Sequence, residues 1–405
     1  MHRIAIIFTS KIACLGACLL LCTVAYARTP TPTTPAPTTP DTHTRTRAEK
    51  DIALRFDTYS DGWITVLSPA ALARVGLGKD ARFSVETGVE LDAVSGATPV
   101  LMADTITSAT PFEDRRHAGH LTFSAKLAPV WTATTTGSMS IESDHRTYAA
   151  SIASSAELFD RHATLSLFSG FFHEVAGRSD DPGFAQRTLG ATATLGWAHL
   201  VARRTTLLFQ LSGRLRECAS KLGCQANPYR HVPAWIEEEK DHFIVIAPAE
   251  RHPDQRLRAA TAIRLAQYLR AGFGLHLRYR YYSDTWRISG HTARVAIAKE
   301  LLHGKLVARI ETRGTTQSAA AFYRDRYSFS GTLPSVPEYR SADRELSRIR
   351  APIGGVRLEY RSSITDKVRW HANARLAQLR YRYLDHSELP TRHAWLVGLG
   401  AGLSL

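Results

Sequence analysis

The feature that most constrains this chain is an alternation of period two that returns along most of its length. At Leu275-His276-Leu277-Arg278-Tyr279-Arg280-Tyr281 the Leu and Tyr residues fall on one face of an extended strand, and His276, Arg278 and Arg280 on the other. Leu379, Tyr381 and Tyr383 alternate in the same way with Arg380 and Arg382. Lys305–Glu311 does so less cleanly, and Ala163–Phe172 and Thr206–Leu215 also read as strands. A soluble sandwich would hide the apolar faces in a core. A membrane barrel turns them to lipid and its charged faces inward. Two observations favour the barrel. The charged face is rich in Arg and His strand after strand, and aromatics stand at strand ends: Trp63, Trp131, Trp197, Tyr282, Trp286, Trp370, Tyr383 and Trp395. The expected fold is all-β, an antiparallel transmembrane β-barrel of the outer-membrane type with long extracellular loops. At ~9–11 residues per span the length suggests roughly 12–14 strands. A soluble, secreted β-protein is the alternative.

Both ends of the chain bear on export. Residues 1–27 read as a signal peptide: Arg3 and Lys11 are basic, Ile12–Ala25 is a nearly unbroken apolar run, and Ala25-Tyr26-Ala27 places small residues at the cleavage positions. Leu15-Gly16-Ala17-Cys18 offers a second reading, a lipoprotein box. After the leader no stretch has ~18 consecutive apolar residues, so no transmembrane helix is expected. Residues 28–50 form a Pro/Thr-rich linker that cannot bury a core and is expected to be disordered. The barrel domain is assigned to residues 51–405. At its end Trp395, Val397, Leu399, Ala401, Leu403 and Leu405 share one face with Gly398, Gly400, Gly402 and Ser404 opposite. This is the amphipathic last strand that barrel-assembly machinery needs, with Leu405 where an aromatic usually stands. The expected location is the cell outer membrane, with its lipid as a partner.

Removing the leader takes away Arg3 and Lys11 and no acid, so the formal charge falls from +14 to +12. That balance suits phosphate-rich lipid or anionic solutes, and nucleic acid is a poor partner for an exported chain. Of five cysteines, Cys14, Cys18 and Cys22 lie in the leader. Cys218 and Cys224 remain, close enough in an oxidising compartment to form a small loop-clipping disulfide. Glu217–Asp254 and Ala319–Asp343 are long polar segments that read as extracellular loops. Beyond the strand period and the paired heptads described next, no internal repeat is visible.

Asp92-Ala93-Val94-Ser95-Gly96-Ala97-Thr98 is followed by a degraded copy, Asp104-Thr105-Ile106-Thr107-Ser108-Ala109-Thr110. The first resembles the attachment motif for covalent flavin, in which an exported, magnesium-dependent transferase moves FMN from FAD onto a hydroxyl. The resemblance implies Thr98 as acceptor and Asp92, Ser95 and Gly96 as recognition positions. Small residues let the backbone enter the transferase, and the metal neutralises phosphate charge. Ser95–Pro99 is equally readable as a plain turn between strands.

Several segments together resemble a family of bacterial proteins classed as a domain of unknown function and expected to be outer-membrane barrels. They are Tyr59-Ser60-Asp61-Gly62-Trp63, Asp92–Pro99, Thr107–Pro111, Asn227-Pro228-Tyr229-Arg230, Tyr279–Trp286, Ser289-Gly290-His291-Thr292 and Tyr339–Leu346. The resemblance implies a flavin transferase, a thioredoxin-like protein and a small lipoprotein as partners, and no reaction. No catalytic or metal-binding residue is assigned. His117 and His120, with Asp114 nearby, fall on opposite faces of a strand and have no third ligand at a telling distance. Arg278, Arg280, Arg375, Arg380 and Arg382 on inward faces would line an anion-preferring pore, or pair with Glu311, Glu359 or Asp366 to close it. Three readings stand: a barrel bearing covalent FMN for extracytosolic electron transfer, a porin-like or transport barrel with a basic lumen, and a barrel acting through its long loops.

Overall fold

The computed structural model describes residues 50–405 except 79–80, 103–104, 179–180, 220–223, 225–230, 233, 240–241, 247, 331–336 and 388–390; for 96–113, 234–246 and 328–330 it describes the backbone alone. The leader, the linker up to residue 49 and Asn227–Arg230 therefore lie outside the described residues. Before the first long loop come β1 (Lys50–Ser60), β2 (Ile64–Leu77), β3 (Phe83–Met102), β4 (Thr105–Ala128), β5 (Trp131–Ile141), β6 (His145–Leu158), β7 (Ala163–Ala176), β8 (Gln186–Ala202) and β9 (Thr205–Ala219). The loop contributes β10 (Ala234–Glu239) and β11 (His242–Ile246). Then follow β12 (Gln255–Tyr268), β13 (Phe273–Asp284), β14 (Ser289–Leu301), β15 (Leu306–Gln317), β16 (Tyr327–Ser330), β17 (Ile349–Thr365), β18 (Val368–Tyr383) and β19 (Thr391–Ser404).

Sixteen of these strands close into one antiparallel barrel. β19 returns to pair with β1, from Asp51 opposite Ser404 to Ser60 opposite Trp395. Closure leaves no edge, so the wall's backbone donors and acceptors are paired within the sheet, as a hydrocarbon surround demands. The count corrects the expected 12–14. The sequence estimate allotted too much chain to turns. All seven connections at the end that holds Lys50 and Leu405 take only two to five residues. Tight left-handed backbone makes this possible, as at Phe159, Asp160 and Arg161, and at Leu302, His303 and Gly304.

The alternation sorts side chains as a membrane barrel requires. Leu54, Val89, Leu121, Phe171, Ile310 and Leu399 point outward and are 53–69% exposed. Such a belt in water would far exceed the apolar patches soluble proteins tolerate, so its partner is lipid. Among the described residues no helix is long and apolar enough to cross a membrane, which is no constraint on strands. On β19 the apolar set Trp395, Val397, Leu399, Leu403 and Leu405 is exposed, while Gly398 and Gly402 are buried and Gly400 half-buried on the luminal face. Of the aromatics expected in girdles, Trp63, Trp131 and Trp395 are exposed. Tyr282, Trp286 and Tyr383 correct that expectation. Each packs inward or into the loops, where its polar tip finds a partner: Asp284, Gln255 and Glu345 respectively.

The two long polar segments are not simple loops. β10 pairs antiparallel with β11 and parallel with β16, which binds the segment after β9 to the segment after β15 as one cap. Both segments rise from the end opposite the termini and flank β12–β15.

Candidate functional site

At the long-loop rim, two corners share one sequence and one hydrogen-bond pattern. In Tyr59-Ser60-Asp61-Gly62-Trp63, the Tyr59 hydroxyl donates to Asp61 Oδ2 at 2.9 Å. The Trp63 and Ile64 amides donate to Asp61 Oδ1 at 3.0 and 2.8 Å, and Arg392 closes the set on Oδ2. In Tyr282-Ser283-Asp284-Thr285-Trp286 the same contacts recur. Tyr282 donates at 2.6 Å, the Trp286 and Ile288 amides at 3.0 Å each, and Arg256 donates from Nε at 2.9 Å. Both carboxylates are fully buried. A short acid at this place binds its own turn, and the Tyr and Arg satisfy its remaining lone pairs. This Tyr-Ser-Asp-x-Trp pair is an internal repeat that the strand period conceals; the repeated tripeptide was its signal.

The cap is pinned by polar groups. Glu250 and His252 are buried, with His252 Nε2 3.2 Å from Glu250 Oε1. The Ser341 hydroxyl donates to Glu250, and the Ser341 amide donates to the Tyr327 hydroxyl at 3.0 Å. Burial pushes the Tyr327 phenol above its ordinary pKa, so it stays a neutral hub. The His252 ring packs against Trp286 and Phe322 at centroid distances of 4.9 and 5.4 Å. Cys218 and Cys224 are joined in a disulfide, with Cα atoms 6.1 Å apart, where β9 enters the cap.

Below the cap the lumen is strongly asymmetric. Arg264, Arg278, Arg294 and Arg313 stand directly opposite one another on the four adjacent strands β12–β15. Arg309, Arg357 and Arg375 form a second row on β15, β17 and β18. Among the described residues two carboxylates form ion pairs with members of these rows. Glu311 pairs with Arg294 and lies 3.6 Å from Arg375, and Glu359 lies 2.9 Å from Arg357 and 3.2 Å from Arg361. Among the described residues no carboxylate lies within ion-pair distance of Arg264, Arg309 or Arg313. The facing wall, β4–β8, presents hydroxyls: Thr122 and Thr136 are bonded at 2.9 Å, and Thr134 donates to Ser124 at 3.0 Å. On β1–β4 acids outnumber arginines: Arg55 lies 2.7 Å from Asp57 and also pairs with Glu90, and Arg116 donates from Nε to Asp92 at 2.6 Å and also pairs with Glu90. Like charges placed directly opposite across strands are destabilising, and four strands of them are not a packing solution. The arrangement attracts small anions and repels small cations.

The expected site residues fall as follows. Arg278, Arg280 and Arg375 face the lumen. Arg380 and Arg382 do not: Leu379 and Tyr383 are buried inside the wall, Tyr381 faces the same way, and the two arginines are exposed outside. Near the rim the apolar set is the inward one because it packs beside Ile353 and Ile349, the reverse of the mid-barrel rule. His117 is outside and His120 inside, 3.4 Å from Glu86. The one group of three ligating side chains close enough for a single cation, among the described residues, is Asp114, Glu142 and Asp144, an acidic cluster of a kind common without metal.

Asp92 is luminal and held by Arg116, whereas Ser95 is exposed on the outer face. The side chains of Gly96 and Thr98 lie outside the described residues; their backbones lie in β3. Thr98 is in register with Thr110, so the two heptads lie on the two strands of one hairpin and meet only at that pair. β2 stops pairing at Gly96, and the hairpin runs on beyond it at the long-loop end. A transferase that reads Asp92 and Ser95 together cannot reach both from one side of the finished wall.

Residues 186–383 match the family model described as "Protein of unknown function (DUF3570)". No curated protein matches the chain. Among solved structures, Pseudomonas aeruginosa OccK2 (OpdF) in complex with glucuronate is 11% identical, with a TM-score of 0.42 over 88% of this chain and 98% of that one. The siderophore receptor PirA from Pseudomonas aeruginosa is 8% identical, TM-score 0.42, over 89% and 81%. CdiB from Acinetobacter baumannii is 8% identical, TM-score 0.48, over 88% and 60%. Over residues 186–383 the chain thus resembles that family, and its fold is a closed β-barrel whose own apolar belt faces lipid.

Proposed function

We propose that this barrel is a porin-like conduit for small anionic solutes, with the row Arg264, Arg278, Arg294 and Arg313 as its selecting element. The observation that carries the reading is that row: like charges directly opposed on four adjacent strands, of which Arg264 and Arg313 have no carboxylate within ion-pair distance among the described residues. Sixteen strands support it, since barrels of this size enclose an aqueous channel. The test is ion selectivity of the purified protein in planar bilayers under a KCl gradient. The expected reversal potential favours chloride. Replacing Arg264 and Arg313 by Gln, which strands no paired acid, is expected to lower the chloride preference roughly twofold without closing the pore. A cation-selective or non-conducting barrel, shown to be folded by its heat-modifiable gel mobility, would sink the proposal.

Covalent FMN at Thr98 is a separate proposal resting on the heptad alone, with Asp92, Ser95 and Gly96 as its recognition positions. The strand geometry adds one condition: the transferase acts on the exported chain before β3 enters the sheet. Peptide mapping of residues 92–110 from a host that flavinylates other proteins tests it. The expected result is a Thr98 peptide heavier by FMN less water; an unmodified peptide ends the reading.

A further inference from the structure

On the outside of β17–β19 the side chains form horizontal rows. The middle rows are apolar, with Val356, Leu376 and Val397 in one register. Toward the long-loop end, the row of Gln378 and Trp395 brings the interfacial aromatic. Above it Arg380 stands opposite His393, and in the next row Arg350 stands opposite Arg382. Arg350, Arg380 and Arg382 are all exposed on the outer surface. Among the described residues none of the three makes an ion pair or a side-chain hydrogen bond. Their neighbour Arg348, by contrast, is satisfied by Asp385. Directly opposed residues have Cα atoms ~5 Å apart, and residues two apart on a strand lie ~7 Å apart, so the three guanidiniums fit the footprint of a single lipid headgroup.

We infer that Arg350, Arg380 and Arg382 form a binding site on the barrel's exterior for the phosphate groups of a phosphate-bearing lipid in the leaflet at the long-loop end. Three features select this occupant. The site sits just above the aromatic row, at the depth of lipid headgroups. Its charge is wholly positive and made of arginine, whose planar fork takes phosphate oxygens two at a time. The acyl chains of the same lipid lie against Val356, Leu376 and Val397, which are exposed to them. A like-charged pair across strands is unfavourable alone, and a phosphate between the two guanidiniums reverses its sign. The opposed pair Arg350–Arg382 therefore gains most from the lipid. The site is independent of the luminal row, because these side chains point away from the lumen.

The experiment is native mass spectrometry of the full-length mature barrel in detergent, titrated with bisphosphorylated lipid A, with the same lipid stripped of phosphate, and with phosphatidylcholine. The expected result is retention of the phosphorylated lipid only. In the variant R350Q/R380Q/R382Q that retention is expected to fall about tenfold or more. The substitutions lie on an exposed surface, and heat-modifiable mobility confirms that the variant has folded. A conservative set, all three changed to Lys, separates charge from geometry: partial retention is expected. Equal retention by wild type and the Gln variant overturns the site. So does equal binding of phosphorylated and stripped lipid. Displacement of the lipid by millimolar inorganic phosphate would assign the arginines to free phosphate and overturn the lipid as occupant.

Discussion

At the residue scale, the two buried aspartates govern the rim. Asp61 and Asp284 each accept from two amides and a tyrosine and each hold one arginine, with no solvent contact of their own. Removing one partner of a buried ion pair costs about 3–5 kcal/mol, because the other charge stays buried. Asp284→Ala and Asp61→Ala are each expected to lose that amount in urea unfolding followed by tryptophan fluorescence. The corners are far apart and share no partner, so the double variant is expected to be additive. The exposed pair at Arg348 and Asp385 behaves differently. The Arg348 guanidinium holds the Asp385 carboxyl below the ordinary carboxylate range. A depressed acid contributes stability above its unfolded pKa of about 3.9 and loses it as pH falls through the lower folded value. Asp385→Asn is therefore expected to remove a small contribution at pH 7 and none at very low pH, read as proteolytic nicking of the β18–β19 loop.

At the element scale, neighbouring glycines on β17 have opposite requirements. A Cβ at Gly355 would lie 2.7 Å from the Ala377 Cβ and 2.8 Å from the Leu376 carbonyl oxygen, whereas a Cβ at Gly354 would meet nothing within 4 Å. Backbone cannot yield as a side-chain tip can, so Gly355→Ala is expected to cost about 1–3 kcal/mol and Gly354→Ala to be tolerated. Equal urea midpoints for the two variants would contradict this. The elements differ in how far they could be read beforehand. Strands such as β13 and β19, with large apolar residues against Arg or Gly, announce their faces. β5 and β6, built from Thr, Ser and Ala, do not, because neither face is distinct in hydropathy. Leu379, Tyr381 and Tyr383 show the limit of the pattern. Alternation gives two faces but not which is inside, and near the rim the usual assignment reverses. The cap was read as loops because its pairing, β10 with β16, joins segments about ninety residues apart, and local sequence carries no sign of that. Of the candidate site, single luminal arginines were legible, but their alignment into rows depends on register, which only the closed sheet fixes.

At the scale of the whole molecule, charge is sorted by surface, and this predicts how selectivity responds to salt. The luminal rows on β12–β18 face the barrel interior, while Arg350, Arg380 and Arg382 are exposed on the other side of the same wall. Luminal charge acts on ions passing through water, so it is screened: the Debye length is ~10 Å at 0.1 M salt and ~3 Å at 1 M. At the lower concentration the field of Arg264, Arg278, Arg294 and Arg313 extends well into the lumen; at the higher it hugs the wall. Chloride preference is therefore expected to be largest in dilute KCl and to weaken toward the bulk mobility ratio near 1 M. The exterior variant R350Q/R380Q/R382Q should follow the wild-type salt curve, since those charges lie outside the conduction path. The luminal variant R264Q/R313Q should start lower and converge with wild type at high salt. Reversal potentials across a fixed KCl ratio at several mean concentrations measure all three curves. A preference that ignores salt would place selectivity in a steric constriction beneath the cap and not in the arginine wall.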